Sequence, residues 1–501
     1  MFDLGRGLLA SVARMPGAIA ISDGPLTRNY GEWGVTVTRL AAGLIARGLE
    51  PGTHVVSLLT NRYEAATLHL ACQLAGLVIT PVNWRANSAE LGHVLEDCAA
   101  GALFFEQVTH GAVAGCKSLP SVCLPVAGEE WTQMAASAAP LAASRAAVDT
   151  GSVMLYTSGT TGKGKGVPRS HGAERAAALA HVAQNQYGRG EVTLGVMPLY
   201  HTMGVRSLLA SIIVNGHFVC QRRFDAREAL HLIERHRISH LYLVPTLYHD
   251  LVNHADFAAT DTRSVRKLGF AGQSMTDDLL RQLQQAFAPE RFVNHYGSSE
   301  IYTFTVEPDA PAKPGSAGKA GLNQEIRVIA IDSTDPKALT RPGEEGQIIA
   351  ALDGDEAFAG YWNRPDADAK SLHGGWYFTG DTGYLDDDGD LFVTGRVDDM
   401  ITSGGENISP VEIESMLSLH PDVAEVAVAG LADERWGQAV CAFVTTHRPI
   451  AAEELDAWCL QSKLASFKRP RRYVFVKAIP KSPVGKIMRR ELVAGNYQIQ
   501  N

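Results

Sequence analysis

The 501-residue chain has few cysteines, few aromatic residues and no excess of positive charge. Its seven cysteines are scattered without a C-x-x-C pair, so neither a disulfide framework nor a zinc site is indicated, and a cytoplasmic protein is expected. The net charge of −9 argues against a nucleic-acid partner. No apolar run is as long as a membrane span, and residues 1–15 are typical of an amphipathic helix, not of a secretory signal.

Apolar runs and helical periodicity predict alternating strands and helices. Residues 54–59, 62–75 and 78–81 have the pattern strand, helix, strand, and Asn87 with Glu90 matches a capping box for the next helix. A second series is predicted to begin at Val153, with later strands near 194–197, 218–221, 240–244, 267–271 and 292–296 and helices near 226–236 and 276–287. This order predicts an α/β body of two related αβ-layered halves, joined by the alanine-rich surface segment 133–147.

The character of the chain changes after Gly395. Ser409, Pro410 and Glu412 predict a helix start with a capping box. Strands at 423–429 and 440–444 and a helix at 453–464 complete a small α+β unit. Because 501 residues exceed what one hydrophobic core usually serves, we predict a large N-terminal domain, residues 1–397, and a small C-terminal domain, residues 398–501.

A glycine-rich stretch, residues 156–166, follows a predicted buried strand. Glycines at positions 159, 162, 164 and 166 let the backbone turn its N–H groups toward an anion, and hydroxyls and lysines add donors. Gly159, Gly164 and Lys165 match a Walker A loop, but Gly166 stands where that loop needs Ser or Thr for magnesium. The stretch therefore predicts a polyphosphate site outside the ordinary P-loop class, against the alternative of a flexible surface turn.

Four further motifs follow in order, at residues 295–300, 377–381, 395–399 and 483–486. With the glycine-rich loop they resemble the adenylate-forming enzymes, which comprise acyl-CoA synthetases, luciferases and peptide-synthetase adenylation domains. The resemblance covers about residues 30–490. It implies that a carboxylate attacks the α-phosphorus of ATP, that pyrophosphate leaves, and that coenzyme A captures the acyl-adenylate. It also implies a small β subdomain and a mobile C-terminal domain.

The resemblance implies a residue set for ATP, magnesium and catalysis. Glu300 corresponds to the magnesium ligand, with Thr160 beside the metal, and Lys486 to the mobile lysine that neutralises charge between carboxylate and phosphate. His201 joins the catalytic set. Gly164 stands where the family usually has proline. The implied ATP-binding residues are Thr157, Ser158, Gly159, Thr160, Thr161, Gly162, Lys165, Gly272, Gln273, His295, Tyr296, Gly297, Ser298, Ser299, Asp381, Arg396 and Lys486.

The basic tail predicts where coenzyme A binds. Residues 461–490 contain ten Lys or Arg and no acid, which fits either the phosphates of coenzyme A or a solvated face. We predict a hinge at Asp398, because Lys486 and the coenzyme A residues lie in one domain and must serve the same cleft at different times. Likeness to halobenzoate–CoA ligases implies which residues contact coenzyme A, and likeness to acyl-CoA synthetases implies acetylation of Lys486 by a protein acetyltransferase. The implied coenzyme A residues are Arg85, Gly404, Gly405, Trp436, Phe467, Arg469 and Arg471.

Motifs at residues 197–204, 270–275 and 430–437 resemble those of halobenzoate and related aryl–CoA ligases. The acyl set that this implies is His201, Thr202, Met203, Tyr242, Ala271, His295, Gly297, Tyr302 and Thr303. Bulky tyrosines and polar histidines favour a compact aromatic or heteroaromatic acid such as benzoate. Arg206 is assigned to a helix surface in preference to a dicarboxylate site.

Three alternatives remain at this stage. The chain could act on a short or medium-chain acid, or it could be a standalone adenylation enzyme that loads a carrier protein. A non-catalytic nucleotide-binding homologue is disfavoured because Glu300, Asp381 and Lys486 are all present. A homodimer is left open.

Overall fold

The computed structural model describes residues 2–137, 139–157, 164–403, 406–462, 464–465, 468–481 and 487–500. Its described helices are α1 (Leu4–Arg14), α2 (Tyr30–Ala46), α3 (Tyr63–Ala75), α4 (Ser88–Asp97), α5 (His110–Ala114), α6 (Glu129–Ser137), α7 (His171–Gln184), α8 (Thr202–Ile213), α9 (Ala226–His236), α10 (Pro245–Val252), α11 (Asp277–Phe287), α12 (Pro365–Ser371), α13 (Pro410–Leu417), α14 (Ala452–Gln461) and α15 (Arg489–Val493). Within the described ranges, no helix is both long and apolar enough to cross a bilayer.

The first sheet has six strands in the order β6-β5-β3-β4-β7-β8. Its strands are β3 (His54–Leu58), β4 (Val78–Pro81), β5 (Ala102–Phe105), β6 (Val122–Pro125), β7 (Gly151–Thr157) and β8 (Lys165–Ser170). Strands β3 to β6 are parallel, and every residue of β3 and β4 is buried, as expected for a sheet covered by helices on both faces. The predicted capping box of α4 is present, with Asn87 and Glu90 bonded reciprocally.

The second sheet has nine strands in the order β15-β14-β13-β12-β11-β9-β10-β1-β2. Its strands are β1 (Ile19–Asp23), β2 (Leu26–Asn29), β9 (Val192–Gly195), β10 (His217–Cys220), β11 (His240–Leu243), β12 (Lys267–Ala271), β13 (Arg291–Tyr296), β14 (Thr305–Glu307) and β15 (Lys319–Ala320). Strands β9 to β13 run parallel, so their carboxyl ends meet along one edge. Sheets with helices between their strands bind ligands at that edge.

Two smaller sheets follow. An antiparallel sheet contains β16 (Ile326–Ile329), β17 (Gly346–Ala351), β18 (Leu372–His373), β19 (Trp376–Leu385) and β20 (Leu391–Arg396), as expected for the small β subdomain. The last sheet contains β21 (Ile401–Ser403), β22 (Glu406–Ile408), β23 (Val423–Asp433), β24 (Gly437–Thr446) and β25 (Arg472–Phe475). With helices α13 and α14 packed on it, this region is α+β, so the predicted fold class is confirmed.

Two details of the predicted halves are wrong. The strand at Val153 does not open the second half, because β7 pairs with β4 of the first sheet, Val153 opposite Ile79. The alanine-rich segment is not a surface connection throughout: α6 packs on α2, where Met134 is buried close against Gly43. The N-terminal strand β1 instead completes the second sheet by pairing in parallel with β10.

The predicted capping box at α13 is also wrong. The helix begins after Ser409, but the hydroxyl of Ser409 donates to the backbone oxygen of Thr394 on β20 instead of capping the helix. The carboxylate of Glu412 pairs with Lys468. Both polar side chains therefore find partners outside the helix, which sequence spacing alone could not reveal.

Candidate active site

The glycine-rich loop connects two antiparallel strands of the first sheet. Thr157, the last residue of β7, lies opposite Lys165, the first residue of β8. Lys165 projects over the ring of Tyr361, with Nζ 4.1 Å from the ring centroid. Burial lowers the pKa of Lys165, and the carboxylate of Glu300 opposes that shift. The loop residues assigned to ATP, namely Ser158, Gly159, Thr160, Thr161 and Gly162, lie outside the described residues.

Glu300 lies beside this strand pair and is 6% exposed. The phenol of Tyr361 donates to Oε1 of Glu300 at 2.7 Å, while Oε2 has no hydrogen-bond partner among the residues that the structure describes. The backbone oxygen of Glu300 accepts from Arg169 Nη1 at 2.9 Å. A carboxylate with one oriented oxygen and one available oxygen fits a magnesium ion, which prefers hard oxygen ligands. Tyr361 was missed by the sequence reasoning because no motif includes it.

Asp381, assigned to the ribose, is held from two sides. The phenol of Tyr296 donates to Oδ2 at 2.6 Å, and Arg396 Nη1 donates to Oδ1 at 2.7 Å. Asp381 and Arg396 are opposite each other on β19 and β20, and Tyr296 ends β13. Burial and the neighbouring carboxylate raise the pKa of Tyr296 well above its usual range, so the phenol stays a donor. The structure thus brings together three residues that come from two sheets.

The other assigned ATP residues lie at the ends of parallel strands. Gly272 directly follows β12 and adopts φ +91°, a left-handed conformation that favours glycine, and Gln273 comes next. Gly297 follows β13, where a Cβ atom would lie 2.1 Å from the backbone oxygen of Tyr302. Ser298 closes this turn by donating its N–H to the oxygen of Ile301 at 2.9 Å. Ser299 is half-buried between that turn and Glu300.

The residues of the acyl set converge around the start of α8 and the strands β11 to β13. His201 is the N-cap of α8, which begins with Thr202 and Met203, and Ala271 is opposite His295 across β12 and β13. The rings of Tyr242 and His295 are 5.4 Å apart. His295 is 1% exposed, and its Nε2 is bonded to Asn185. Burial and the charge of Arg206 lower the pKa of His295 well below its usual range, so the imidazole is neutral.

The assignment of Arg206 to a helix surface is wrong. Arg206 is 2% exposed, and it donates to Thr303 Oγ1 at 2.7 Å and to the phenol oxygen of Tyr242 at 2.8 Å. It also lies 5.7 Å from the ring centroid of Tyr302. A sequence signal existed: a helix that is apolar on every side is buried, and Arg206 is the single charged residue of α8.

A second buried arginine supports the same region. Arg169 on β8 pairs with Glu174 at 2.7 Å, and both side chains are fully buried. Its Nη1 also donates to the backbone oxygens of Glu300 and Glu356, at 2.9 and 2.6 Å. Its guanidinium carbon lies 4.0 Å from the ring centroid of Tyr302. Arg169 therefore connects the backbone at the candidate metal ligand with a tyrosine of the acyl set.

The residues assigned to coenzyme A are found in two places. Arg85 lies 4.1 Å from the ring centroid of Trp84 and lines a cleft of about 480 Å³ in the first half. Arg471 lies 5.9 Å from the ring centroid of Trp436, whose side chain is 37% exposed. Arg469 instead pairs with Asp456 at 3.3 Å. Gly404, Gly405 and Phe467 lie outside the described residues.

The basic tail is more neutralised than its composition suggests. Ion pairs join its residues to acids of the same region, namely Lys468 with Glu412, Arg469 with Asp456, Arg472 with Asp433, Lys481 with Glu425, and Arg489 with Glu414 and Asp399. These ion pairs offset part of the positive charge of the tail. Lys486 lies outside the described residues. The backbone of Asp398 lies in the short 3₁₀ helix Val397–Asp399.

The chain is similar to known proteins along most of its length. Residues 8–362 match the model of the AMP-binding enzyme family, and residues 412–486 match that of the AMP-binding enzyme C-terminal domain. The chain is 31% identical over 490 residues to 4-chlorobenzoate–CoA ligase of Arthrobacter, covering 96% of this chain and 93% of that protein. It is 33% identical over 467 residues to the fatty acid–acyl-carrier-protein ligase ScoC of Streptomyces coeruleorubidus, covering 91% and 89%.

A solved structure is similar to this chain over nearly its full length. The O-succinylbenzoate coenzyme A synthetase of Bacillus subtilis, in complex with ATP and magnesium, superposes with a TM-score of 0.84 and 29% identity, covering 97% of this chain and 98% of that one. The family models together span most of the sequence. The chain belongs to the AMP-binding enzyme family.

Proposed function

We propose that this AMP-forming acid–CoA ligase activates a small aromatic or heteroaromatic carboxylic acid. The observation that carries the proposal is that Arg206, His295 and Tyr242 are buried together at the acyl set. A long alkyl chain gains its binding energy from apolar contacts, and it would offer no partner to the buried atoms Arg206 Nε and His295 Nδ1. A ring instead gains contact with the aromatic faces of Tyr242 and Tyr302.

The two aryl relatives support the same choice, since one is named for 4-chlorobenzoate and the other for O-succinylbenzoate. The carrier-protein ligase among the relatives supports an alternative, in which the acyl group passes to a carrier protein instead of coenzyme A. A short or medium-chain acid remains the other alternative. Both alternatives share the adenylation step and differ only in the acid or the acceptor.

The chemistry would proceed in two displacements. A carboxylate oxygen of the acid attacks the α-phosphorus of ATP, and the bond to the β-phosphate oxygen breaks, which releases pyrophosphate. Lys486 would offset the negative charge that builds up between carboxylate and phosphate. The thiol of coenzyme A then attacks the acyl carbon, loses its proton and displaces AMP.

The described residues would hold the nucleotide between two sheets. Asp381 would accept hydrogen bonds from the ribose hydroxyls, with Arg396 and Tyr296 fixing its orientation. Glu300 and Thr160 would hold magnesium, which when bound offsets phosphate charge. Arg489, which follows Lys486 in the tail, forms an ion pair with Asp399 and so holds this part of the tail close to Asp398. We place a hinge at Asp398, between residues 1–397 and 398–501.

Three further properties belong to the proposal. We place the protein in the cytoplasm, we expect a protein acetyltransferase to inactivate it at Lys486, and we propose that two copies of the chain form a homodimer.

The proposal is tested by offering benzoate, 2-furoate, hexanoate and dodecanoate to the purified enzyme. Pyrophosphate release and thioester formation are measured with and without coenzyme A. We expect the ring acids to have the highest kcat/KM and the thioester to form with free coenzyme A. The aryl assignment fails if dodecanoate is the best substrate, and adenylate formation without any thioester would favour the carrier-protein alternative.

The variant Tyr302→Ala tests the ring contact itself. Because Tyr302 is 2% exposed within the acyl set, its truncation should raise KM for the ring acid and weaken the discrimination against hexanoate. Tyr384→Ala is the matched control, since Tyr384 stacks on Phe392 in the small β subdomain. Equal effects of the two variants on the ratio of benzoate to hexanoate activity would contradict the assignment.

A further inference from the structure

Arg206 is a buried cation without an ion-pair partner. Two of its N–H groups donate to the neutral oxygens of Thr303 and Tyr242, while Nε is buried and has no hydrogen-bond partner. Among the residues that the structure describes, no carboxylate forms an ion pair with it. Burying an unpaired charge is costly, so such a charge calls for an explanation.

The other buried arginine of this region shows how the fold neutralises a structural cation. Arg169 has a direct carboxylate partner in Glu174, at 2.7 Å. The acid that acts on Arg206 is Glu356, which interacts with it through charge and forms no ion pair with it among the described residues. Burial raises the pKa of Glu356, and the charge of Arg206 only partly opposes this. Arg206 is therefore compensated less completely than Arg169.

The buried polar atoms without a hydrogen-bond partner in this region include several at the acyl set. Besides Arg206 Nε, the phenol oxygen of Tyr302 and Nδ1 of His295 are buried without a hydrogen-bond partner. Arg206 lies 5.7 Å from the ring of Tyr302, and Tyr242 lies between Arg206 and His295. A guanidinium offers only hydrogen-bond donors, so the group that would complete it is an acceptor, and a negatively charged oxygen group pairs best with it.

We propose that the acid carries a second anionic oxygen group, a carboxylate distant from the reacting one, which pairs with Arg206. The inference rests on the proposed function, because it needs the acyl set to bind the acid. Arg206 then determines specificity: an acid without the second group leaves the guanidinium desolvated and unpaired, which disfavours its binding.

The test compares acids that differ only at the distal position. Terephthalate and its monomethyl ester have the same ring, but only terephthalate has the second charge, and benzoate lacks the substituent. Furan-2,5-dicarboxylate and 2-furoate form a second pair. With coenzyme A present, we expect kcat/KM for a dicarboxylate to exceed that of its partner at least about tenfold, the value of one charged hydrogen bond.

Arg206→Gln should remove the preference for terephthalate over its monomethyl ester, and Arg206→Lys should retain part of that preference. The control is Arg227→Gln, since the Arg227 side chain is 75% exposed on α9. Circular dichroism and thermal melting establish that each variant is folded. If Arg206→Gln does not fold, the dicarboxylate-to-monoester ratio of the unmodified enzyme decides alone.

The possible results distinguish the inference about Arg206 from the proposed aryl–CoA ligase function. Thioester formation from the monocarboxylates with no preference for dicarboxylates overturns the inference and leaves the ligase function intact. A preference that survives in folded Arg206→Gln overturns the assignment of Arg206. No pyrophosphate release from any ring acid, while hexanoate reacts, overturns the proposed aryl function itself.

Discussion

The hydrogen bond between Tyr361 and Glu300 allows a direct test of the candidate metal ligand. The phenol donates to Oε1 at 2.7 Å, and Glu300 is 6% exposed, so water cannot easily replace this donor. Tyr361→Phe removes the hydroxyl and keeps the ring on which Lys165 rests, 4.1 Å from the centroid. The perturbation therefore changes how the carboxylate is oriented and leaves the packing in place.

The expected magnitude follows from the charge on the acceptor. A hydrogen bond to a charged group contributes about 1.5–3 kcal/mol. At about 1.4 kcal/mol per tenfold change, this equals roughly 10- to 150-fold in an equilibrium constant. Loss of a residue that orients a metal ligand costs about 10- to 100-fold in metal affinity, which agrees. We expect the magnesium concentration for half-maximal activity to rise at least about tenfold.

The assay is pyrophosphate release at fixed ATP and acid, measured over a magnesium titration. Tyr384→Phe is the matched control, because the Tyr384 ring stacks on Phe392 in the small β subdomain and its hydroxyl forms no hydrogen bond to the described residues. A half-maximal concentration for Tyr361→Phe within twofold of the control would refute the assignment of Glu300 as a ligand oriented by Tyr361.

Three other variants probe catalysis, the hinge and the buried charges. Lys486→Ala should slow adenylation by at least about 100-fold, the typical cost of losing a preorganised charge, yet convert a supplied acyl-adenylate to thioester; equal losses in both steps would contradict this. Asp398→Pro should keep pyrophosphate release and lose thioester formation, because proline fixes φ and restricts hinge rotation; an unimpaired overall reaction rules out the hinge. Arg169→Met should lower the free energy of unfolding in urea by about 3–5 kcal/mol, since it leaves Glu174 buried and unpaired, and Arg169→Met with Glu174→Leu should recover part of that loss. The reasoning fails if Arg169→Met is no more destabilising than the exposed Arg227→Met.

Local patterns predicted most of the secondary structure. Strands at 54–58, 78–81 and 267–271 and the helix at 226–236 lie where apolar runs and helical periodicity put them, because the strands are mostly buried and the helix buries one apolar face. The capping box of Asn87 and Glu90 forms because both partners belong to the same helix start. The similar pattern at Ser409 and Glu412 does not form, since distant partners compete for both side chains.

Strand pairing could not be read from the sequence. Nothing in residues 19–23 indicates that they pair with β10, about 200 positions later, or that Val153 lies beside β4 and not in the second sheet. Parallel strands carry similar apolar runs whichever neighbour they have, so composition does not specify the order of strands. The order of the strands is set by the crossover connections of the folded chain.

The candidate site, like the fold, could be predicted only in part from the sequence. Motif resemblance identified Tyr296, Asp381 and Arg396, and the folded chain joins them by hydrogen bonds at 2.6 and 2.7 Å. The sequence did not identify Tyr361, because this residue belongs to no motif. Arg206 was wrongly predicted to lie at a surface, because the prediction used its residue type and not the apolar character of the helix that contains it. Residues that act by supporting motif residues have no local signature.

The two buried arginines link the candidate metal ligand to the acyl set. Arg169 donates to the backbone oxygens of Glu300 and Glu356, and the charges of Arg169 and Arg206 both act on the Glu356 carboxyl group and oppose the rise of its pKa. Each of these residues is buried, so displacement of one side chain changes the surroundings of its neighbours. A change at Arg169 is therefore expected to alter magnesium dependence and acid selection together, whereas Tyr361→Phe, which among these residues contacts only Glu300, should alter magnesium dependence alone.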